Sequence, residues 1–283
     1  MNHPTGSQKA SGNIPPGKAK EKNPYRYQVL FRPGLHMSDE KIALLVEKIR
    51  DTASTAFHEI PDYQVFRGTR DELADKIIAI AWRDDGEIAG FCSTVILEVK
   101  GVGKVIHLGL TIVRPEDRSG GLTHILTHKA VAAFLFRYRP IIGKLWITNC
   151  AAVLSSLVNV SLFFEKVYPS PKPGTKITRK HQIIARAIDT YYRDKIYISD
   201  QAMFDHEHFV FRGSVKDTVF QKKEEDTSYY HRNIHYNEYF KQKMKFENGD
   251  EVLQIGFAST FAAIKHLWRN VPLPKPKVQS QNL

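Results

Sequence analysis

The stretch that decides the fold runs from Val105 to Ala130: VIHLGLTIV at 105–113, RPEDRSGG at 114–121 and LTHILTHKA at 122–130. The first part alternates and is rich in β-branched residues, which predicts a strand, and the last part has apolar residues at helical spacing. Gly120 and Gly121 lie between them and let the backbone approach a ligand closely. Because the first amides of a helix lack partners within it, this turn favours an anion such as a pyrophosphate.

The spacing of this turn is specific. Arg118-x-x-Gly121-x-Thr123, directly after a strand that ends Ile-Val-x-Pro, resembles the acyl-CoA signature of the GNAT family of N-acetyltransferases, Gln/Arg-x-x-Gly-x-Gly/Ala. Thr123 replaces the last small residue of that signature. The stretch fits neither the dinucleotide-binding Gly-x-Gly-x-x-Gly pattern nor the nucleotide P-loop.

The resemblance implies acetyl-CoA or another acyl-CoA as co-substrate. In the family, the loop amides hold the pyrophosphate of coenzyme A, and the strand before the loop lines the pantetheine arm. The residues implied to contact the acyl-CoA are Thr111, Ile112, Val113, Arg118, Ser119, Gly120, Gly121, Leu122, Thr123, His124 and Phe164.

The order of predicted elements also resembles the family. A strand at 25–32 precedes a helix from Ser38 to about Thr52 and a short helix at 71–75. Strands at 76–82 and 88–98 flank the hairpin turn Asp84-Asp85-Gly86, and the strand at 105–113, the helix from Gly121 and a fifth strand at 144–149 follow. We therefore expect an α/β fold of the α+β type: a mixed, mostly antiparallel sheet with helices on both faces, plus a C-terminal extension. The family's fourth and fifth strands splay apart around the acyl arm.

The end of the resembling region departs from the family pattern. Phe163-Phe-Glu-Lys-Val-Tyr168, after a helix predicted at 150–166, resembles the closing motif Tyr-Glu-Lys-x-Gly-Phe, with Phe164 at the tyrosine position. The usual asparagine before it is Leu157, although Asn159 is nearby. Because Phe164 has no hydroxyl, the family's usual acid is missing. Four alternatives remain for the departing thiolate: it takes a proton from solvent, it takes one from a residue such as Tyr191 or Tyr192, it leaves unaided, or the protein has lost activity.

His107 is the candidate catalytic base. It lies six residues before Val113, a spacing that resembles the catalytic glutamate of family members that modify histones. A histidine with a pKa near 6.5 suits removal of an ammonium proton, although a strand histidine can also be purely structural. Gly109 fits a bulge in the same strand or merely relieves packing; amides near Leu110 to Ile112 would then bond the thioester carbonyl.

Composition limits the other classes of function. The 283 residues allow one large domain or two modest ones, and 42% apolar and 11% aromatic residues are ordinary for a soluble protein. The start lacks an apolar signal core and no stretch is long enough to span a bilayer, so we expect a cytoplasmic protein without a membrane partner. Cys92 and Cys150 lie in apolar runs and are expected to be buried free thiols.

The net charge is +11, and part of the excess of Lys and Arg lies in the chain ends. The basic residues form no continuous block, so nucleic acid is not the expected partner. The histidine pairs 124/128 and 231/235 have the spacing of metal ligands, but no full ligand set accompanies them, and we predict no metal site. The sequence does not indicate an oligomeric state.

The resemblance covers about residues 25–169. Residues 1–24 are predicted to be disordered and 271–283 to form a flexible tail. Residues 170–270 are expected to complete the sheet and cover the acceptor site, with helices at 179–194, 236–245 and 261–268 and strands at 208–213 and 252–257. Aromatic residues there could form a pocket for an apolar or aromatic amine, or belong to the core: Tyr191, Tyr192, Phe209, Phe211, Tyr229 and Tyr230.

Taken together, the resemblance implies an acyl-CoA-dependent N-acyltransferase that transfers an acyl group directly to an amine in a ternary complex. The first alternative, motivated by Phe164 and Leu157, is a protein that keeps the fold and binds without turnover. The second alternative is a basic module that binds nucleic acid or an acidic carrier protein.

Overall fold

The computed structural model describes residues 24–118, 120–138 and 144–259. The predictions made for residues 1–23, for Ser119, and for the helix and tail beyond residue 259 lie outside these ranges. Within them, no helix combines the length and the apolar character needed to cross a bilayer.

The described residues form nine strands and six α-helices. In chain order these are β1 (Arg26–Phe31), α1 (Asp39–Ser54), α2 (Arg70–Leu73), β2 (Lys76–Trp82), β3 (Ile88–Val99), β4 (Gly103–Val113), α3 (Leu122–Tyr138), β5 (Lys144–Ala151), α4 (Leu154–Phe163), β6 (Glu165–Tyr168), α5 (Arg179–Tyr191), β7 (Met203–Asp205), β8 (Val210–Arg212), α6 (Ile234–Lys241) and β9 (Glu251–Ser259).

All nine strands belong to one sheet. Its order is β1-β2-β3-β4-β5-β9-β8-β7, and β6 pairs with β9 beside this path. Neighbouring strands pair antiparallel except β4 and β5, which are parallel. The expected mixed, mostly antiparallel sheet is therefore confirmed.

Helices cover both faces of the sheet, because the side chains of a strand point alternately to opposite sides. Ile77, Ala79 and Ala81 of β2 pack in one apolar cluster with α3, whereas Ile78 and Ile80 pack in another with α1. β2 is thus buried on both sides, which explains its continuous apolar sequence. This confirms the prediction of helices on both faces.

The C-terminal part is built into the sheet. β9 pairs along all of β5, and its other edge pairs with β6 and β8. Between β6 and β9, the segment 169–250 supplies α5, which packs with β9 and the ends of β3 and β4, and α6, which packs against α4. Residues far apart in sequence therefore complete the centre of the sheet.

The helix predicted at 150–166 is shorter than expected. β5 continues through Ala151, α4 ends at Phe163, and residues 165–168 form β6. The reason is strand pairing: Cys150 and Ala151 lie opposite Leu253 and Val252 of β9, and Tyr168 lies opposite Ile255. Hydrogen bonding to β9 overrides the helical spacing of the apolar residues.

Phe134 of α3 tests the packing of this helix on the sheet. Its side chain is fully buried, whereas Phe136 on the same helix is 61% exposed. We expect Phe134→Ala to lower the free energy of unfolding by about 3–5 kcal/mol, because it leaves a cavity in the core. Phe136→Ala, the control, should change it by less than about 0.5 kcal/mol. Urea unfolding measures both, and equal losses would contradict this packing.

Candidate functional site

A gap opens between β4 and β5. The two strands pair from Val105 to Leu108 of β4 and from Trp146 to Asn149 of β5. Immediately afterwards β4 contains one residue more than β3, since Thr94 lies opposite Leu108 whereas Cys92 lies opposite Thr111. Such a bulge bends its strand, so β4 leaves β5 at this point. The bulge expected near Gly109 is present.

A cavity of about 390 Å³ occupies the gap. Its walls come from β4 and β5, from the first turns of α3, from α4 and from the C-terminal part of the chain. The residues that line it are Tyr63, His107, Leu108, Gly109, Leu110, Thr111, Thr123, His124, Thr127, His128, Asn149, Cys150, Ala151, Ala152, Val153, Ser155, Ser156, Asn159, Val160, Phe163, Phe164, Ile196, Tyr197, Val215, Phe220, Lys222 and Glu251.

Gly109 is required by packing at the bulge. A Cβ at this position would lie 2.6 Å from the Ser93 carbonyl oxygen and 2.9 Å from Gln64 Oε1. Both contacts are far shorter than van der Waals distance, so a larger residue would push β4 away from β3. The packing interpretation of this glycine is sufficient, and the bulge that it permits shapes the cavity.

The turn before α3 is open to the outside of the fold. A Cβ at Gly120 or Gly121 would meet no atom within 4 Å, and Gly121 has a φ of +71°. The amides of His124 and Ile125 donate to the Gly121 carbonyl at 3.0 and 3.2 Å. In the described ranges, the amides of residues 120–123 have no hydrogen-bond acceptor. These amides can therefore bind an anion at the positive end of α3.

The predicted acyl-CoA contacts divide into three groups. Thr111, Thr123, His124 and Phe164 line the cavity. The side chains of Ile112, Val113 and Leu122 are buried in the core, so only their backbone could reach a ligand. Arg118, Gly120 and Gly121 lie in the turn itself, where Arg118 Nε donates to the Val113 carbonyl oxygen at 3.2 Å.

His107 lies at the floor of the cavity, where the two strands separate. It is only 2% exposed, and its Nδ1 lies 3.0 Å from Thr148 Oγ1 on the neighbouring strand. Burial, with a smaller effect from the charge of Lys76, lowers the pKa of His107 to about 3. The imidazole is therefore neutral near pH 7 and is a weak base.

Glu251 is a cavity residue that the sequence interpretation missed. It begins β9, is 9% exposed, and accepts a hydrogen bond of 2.7 Å from Ser214 Oγ. Burial raises the pKa of Glu251 to about 7, although the Ser214 hydrogen bond and the charge of Lys222 oppose the rise. An acid at the start of an apolar strand was the available signal. Asp250 gives the same signal but bonds Arg212 instead.

The aromatic wall of the cavity also differs from the residues suggested by the sequence. Tyr63, Tyr197 and Phe220 form a cluster with ring centroids 5.1–5.5 Å apart. The six aromatic residues suggested for an acceptor pocket do not line the cavity. Two of them, Phe209 and Phe211, belong to the buried core beside α5.

The closing motif places Phe164, but not Tyr168, at the cavity. Tyr168 Oη donates to the Glu207 carbonyl oxygen at 2.9 Å, and its ring packs against Phe209. Leu157 is fully buried, whereas Asn159 lines the cavity. Polar side chains of α4 are thus available on the wall that carries Phe164.

The two cavity histidines of α3 surround an aromatic ring. The centroids of His124 and His128 lie 5.0 and 5.7 Å from that of Phe163. No group of three or more His, Cys, Asp or Glu side chains in the described ranges is arranged to hold a metal ion.

Comparisons with known proteins find structural similarity only. No protein-family model matches the chain, and no curated protein matches it. A GNAT family N-acetyltransferase from Escherichia coli, solved in complex with CoA, is 13% identical; the match covers 52% of this chain and 72% of that one, with a TM-score of 0.31. An aminoglycoside N-acetyltransferase in complex with CoA is 17% identical over 44% and 76%, with a TM-score of 0.30.

A ribosomal-protein-alanine N-acetyltransferase from Brucella melitensis is also similar, with 17% identity over 41% of this chain and 75% of that chain and a TM-score of 0.28. All three are acetyltransferases, the class that the Arg118 turn resembles.

The two kinds of glycine at the site give a direct test of this geometry. We expect Gly109→Ala to lower the free energy of unfolding by about 1–3 kcal/mol, because the new methyl group overlaps the Ser93 carbonyl. Gly120→Ala, at an open position, should change it by less than about 0.5 kcal/mol. Urea unfolding distinguishes them. A tolerated Gly109→Ala would mean that the bulge is not packed as described.

Proposed function

We propose that the protein is an acyl-CoA-dependent N-acyltransferase of the GNAT type, with acetyl-CoA as the first candidate donor. The observation that carries this proposal is the cavity between the diverging strands β4 and β5. Its lining includes the first turn of α3, which follows a turn of open amides, and a buried carboxylate, that of Glu251. Such an arrangement suits an anionic donor and a cationic acceptor.

The residues present fit an acyl-CoA. The pyrophosphate would bind the amides of residues 120–123, where the open space at Gly120 and Gly121 leaves room for it. The pantetheine arm would follow β4 from Val113 to Thr111 into the gap, past Phe164. Arg118 is held by the Val113 carbonyl, so it can support the turn and contribute positive charge. The bound thioester would supply an activated acyl group.

Direct transfer also needs the thioester carbonyl to be polarised and the thiolate to gain a proton. Backbone amides at the β4 bulge, near Leu110, are the proposed donors to the carbonyl oxygen. Because Phe164 has no hydroxyl, the proton for the thiolate must come from another group or from water. Ser155, Ser156 and Asn159 line the same wall as Phe164 and can position such a water molecule.

The acceptor is proposed to be an amine with an apolar or aromatic body. Tyr63, Tyr197 and Phe220 form the aromatic wall of the cavity and pack on the α1 face of the sheet, opposite α3. Ile196 and Val215 line the cavity as well. These side chains can bury an apolar group of the acceptor.

A protein that binds acyl-CoA without turnover is the second candidate, favoured by the missing hydroxyl at Phe164.

Binding of the donor is tested by thermal unfolding with acetyl-CoA. At 100 times its dissociation constant, acetyl-CoA should stabilise the protein by about 2.7 kcal/mol. Gly120→Asp should raise the dissociation constant of acetyl-CoA about tenfold or more, because it places a negative charge beside the pyrophosphate. A tenfold change corresponds to about 1.4 kcal/mol of binding free energy. The matched control Gly120→Asn has the same size without the charge. Absence of stabilisation by acetyl-CoA and by longer acyl-CoAs would overturn the proposed function.

Turnover separates the two candidates. With acetyl-CoA and the primary amines phenethylamine and hexylamine, the transferase should release free thiol in proportion to acylated amine. The alternative predicts stabilisation by acetyl-CoA without release of thiol. The thiol is measured with a chromogenic disulfide and the acylated amine by mass spectrometry.

A further inference from the structure

The cavity contains one buried carboxylate, Glu251, among its described residues. Its position is fixed twice: the backbone lies at the start of β9, opposite Phe211 of β8, and the side chain accepts the Ser214 hydrogen bond. Because that bond uses one carboxylate oxygen, the other retains its capacity to accept a hydrogen bond from a ligand. A carboxylate held in this way in an apolar cavity is a specific site for a cation.

The ionisable groups that face Glu251 are Lys222, Tyr63 and Cys150. Burial raises the pKa values of the Tyr63 hydroxyl and the Cys150 thiol, with a further rise from Glu251, so both groups stay neutral near pH 7. Lys222 has a pKa lowered by burial, and its Nζ lies 4.5 Å from the ring centroid of Tyr229. The cavity thus presents one anionic group that can exchange a proton near neutral pH and one cationic group beside it.

His107, the base suggested by the sequence, also lines the cavity, and its basicity differs from that of Glu251. Burial raises the pKa of Glu251 to about 7, whereas burial lowers that of His107 to about 3. Glu251 is therefore the stronger base of the two. It also faces the aromatic wall proposed for the acceptor, whereas His107 lies at the floor where the strands separate.

We propose that Glu251 binds the acceptor as its ammonium ion and removes the proton before acyl transfer. This inference rests on the proposed transferase function and assigns its acceptor subsite. The acceptor class is a primary amine with a single positive charge on an apolar or aromatic body, because a second positive charge would meet Lys222. Polyamines are therefore poor acceptors.

The ammonium gives one proton to the Glu251 carboxylate, which becomes a neutral acid, and leaves a free amine. The amine nitrogen forms a bond to the thioester carbonyl carbon, the carbon–sulfur bond breaks, and its electron pair leaves with sulfur. A second proton of the nitrogen neutralises the thiolate, through water, and Glu251 returns its proton to solvent.

The main test is Glu251→Gln in the full chain, with phenethylamine and acetyl-CoA. We expect kcat/KM at pH 7 to fall by about 100-fold or more, the typical range for a general base. The acid limb of the pH dependence of kcat/KM should disappear, while the thermal stabilisation by acetyl-CoA stays unchanged. A variant that keeps the wild-type rate and acid limb, or that loses acetyl-CoA binding, would overturn the assignment.

Two further variants test the same assignment through its neighbours. Ser214→Ala and Lys222→Gln each remove a group that favours ionised Glu251, so each should move the acid limb to higher pH. His107→Asn should leave the position of that limb unchanged. If Glu251→Gln does not fold, these variants decide, and an acid limb that moves only in His107→Asn would overturn the proposal.

Acceptor choice gives an independent readout. Wild type should acetylate phenethylamine with a kcat/KM at least tenfold above that for spermidine. Lys222→Gln should lower this ratio, because it removes the positive charge that disfavours spermidine. Equal use of both amines by wild type would contradict the predicted class. If wild type binds no acyl-CoA, the proposed function fails. If it binds and transfers but Glu251→Gln is fully active, only the assignment of Glu251 fails.

Discussion

The site depends on the point at which two parallel strands stop pairing. From Val105 to Leu108 the hydrogen bonds of β4 continue the sheet into β5. One additional residue in β4 then breaks the register with β3, and the strand bends away from β5. Gly109 permits this because no larger side chain fits between β4 and the Ser93 carbonyl. The cavity, its floor at His107 and its access to the first turns of α3 all follow from that bend.

The sheet around this gap keeps its continuity because β9 pairs with the far side of β5. Beyond Asn149 the edge of β5 that faces β4 borders the gap, whereas the other edge stays paired with β9 as far as Ala151. β9 also brings Glu251 to the cavity. One strand thus stabilises the splayed arrangement and supplies a carboxylate to the cavity.

Local sequence patterns predicted most of the first half of the fold. The apolar runs of β2 and β3 on either side of the Asp84-Asp85-Gly86 turn, the alternation in β4, the glycine pair before α3 and the spacing of α1 and α3 are local signals. Each lies within about ten residues, so its interpretation needed no tertiary contact. The extended conformation of Cys150 and Ala151 could not be predicted, because it depends on pairing with residues about 100 positions later. The same holds for β6.

The candidate site also combines features that are local in sequence with features that depend on tertiary contacts. The turn at Arg118 is a local feature, and its residues lie together as the motif implied. The chemical character of His107 and Glu251 is not local, since a pKa depends on burial and on charges brought by other elements. Ser214, which holds Glu251, is 37 positions away, and Lys222 lies in the same connection after β8. No spacing in the sequence indicates that these groups meet.

The segment 169–250 leaves the sheet from β6 and returns in β9, and these two strands are hydrogen-bonded neighbours. Tyr168, at the end of β6, lies opposite Ile255, four residues along β9 from Glu251, so the two ends of the segment are roughly 14 Å apart at about 3.4 Å per strand residue. The loops of this segment can change in length without moving the strands, whereas α5, which packs with β9 and the ends of β3 and β4, ties the rest of the segment to the core. In the proposed transferase, acceptor preference would change through those loops, because they supply Tyr197, Phe220 and Lys222 to the cavity.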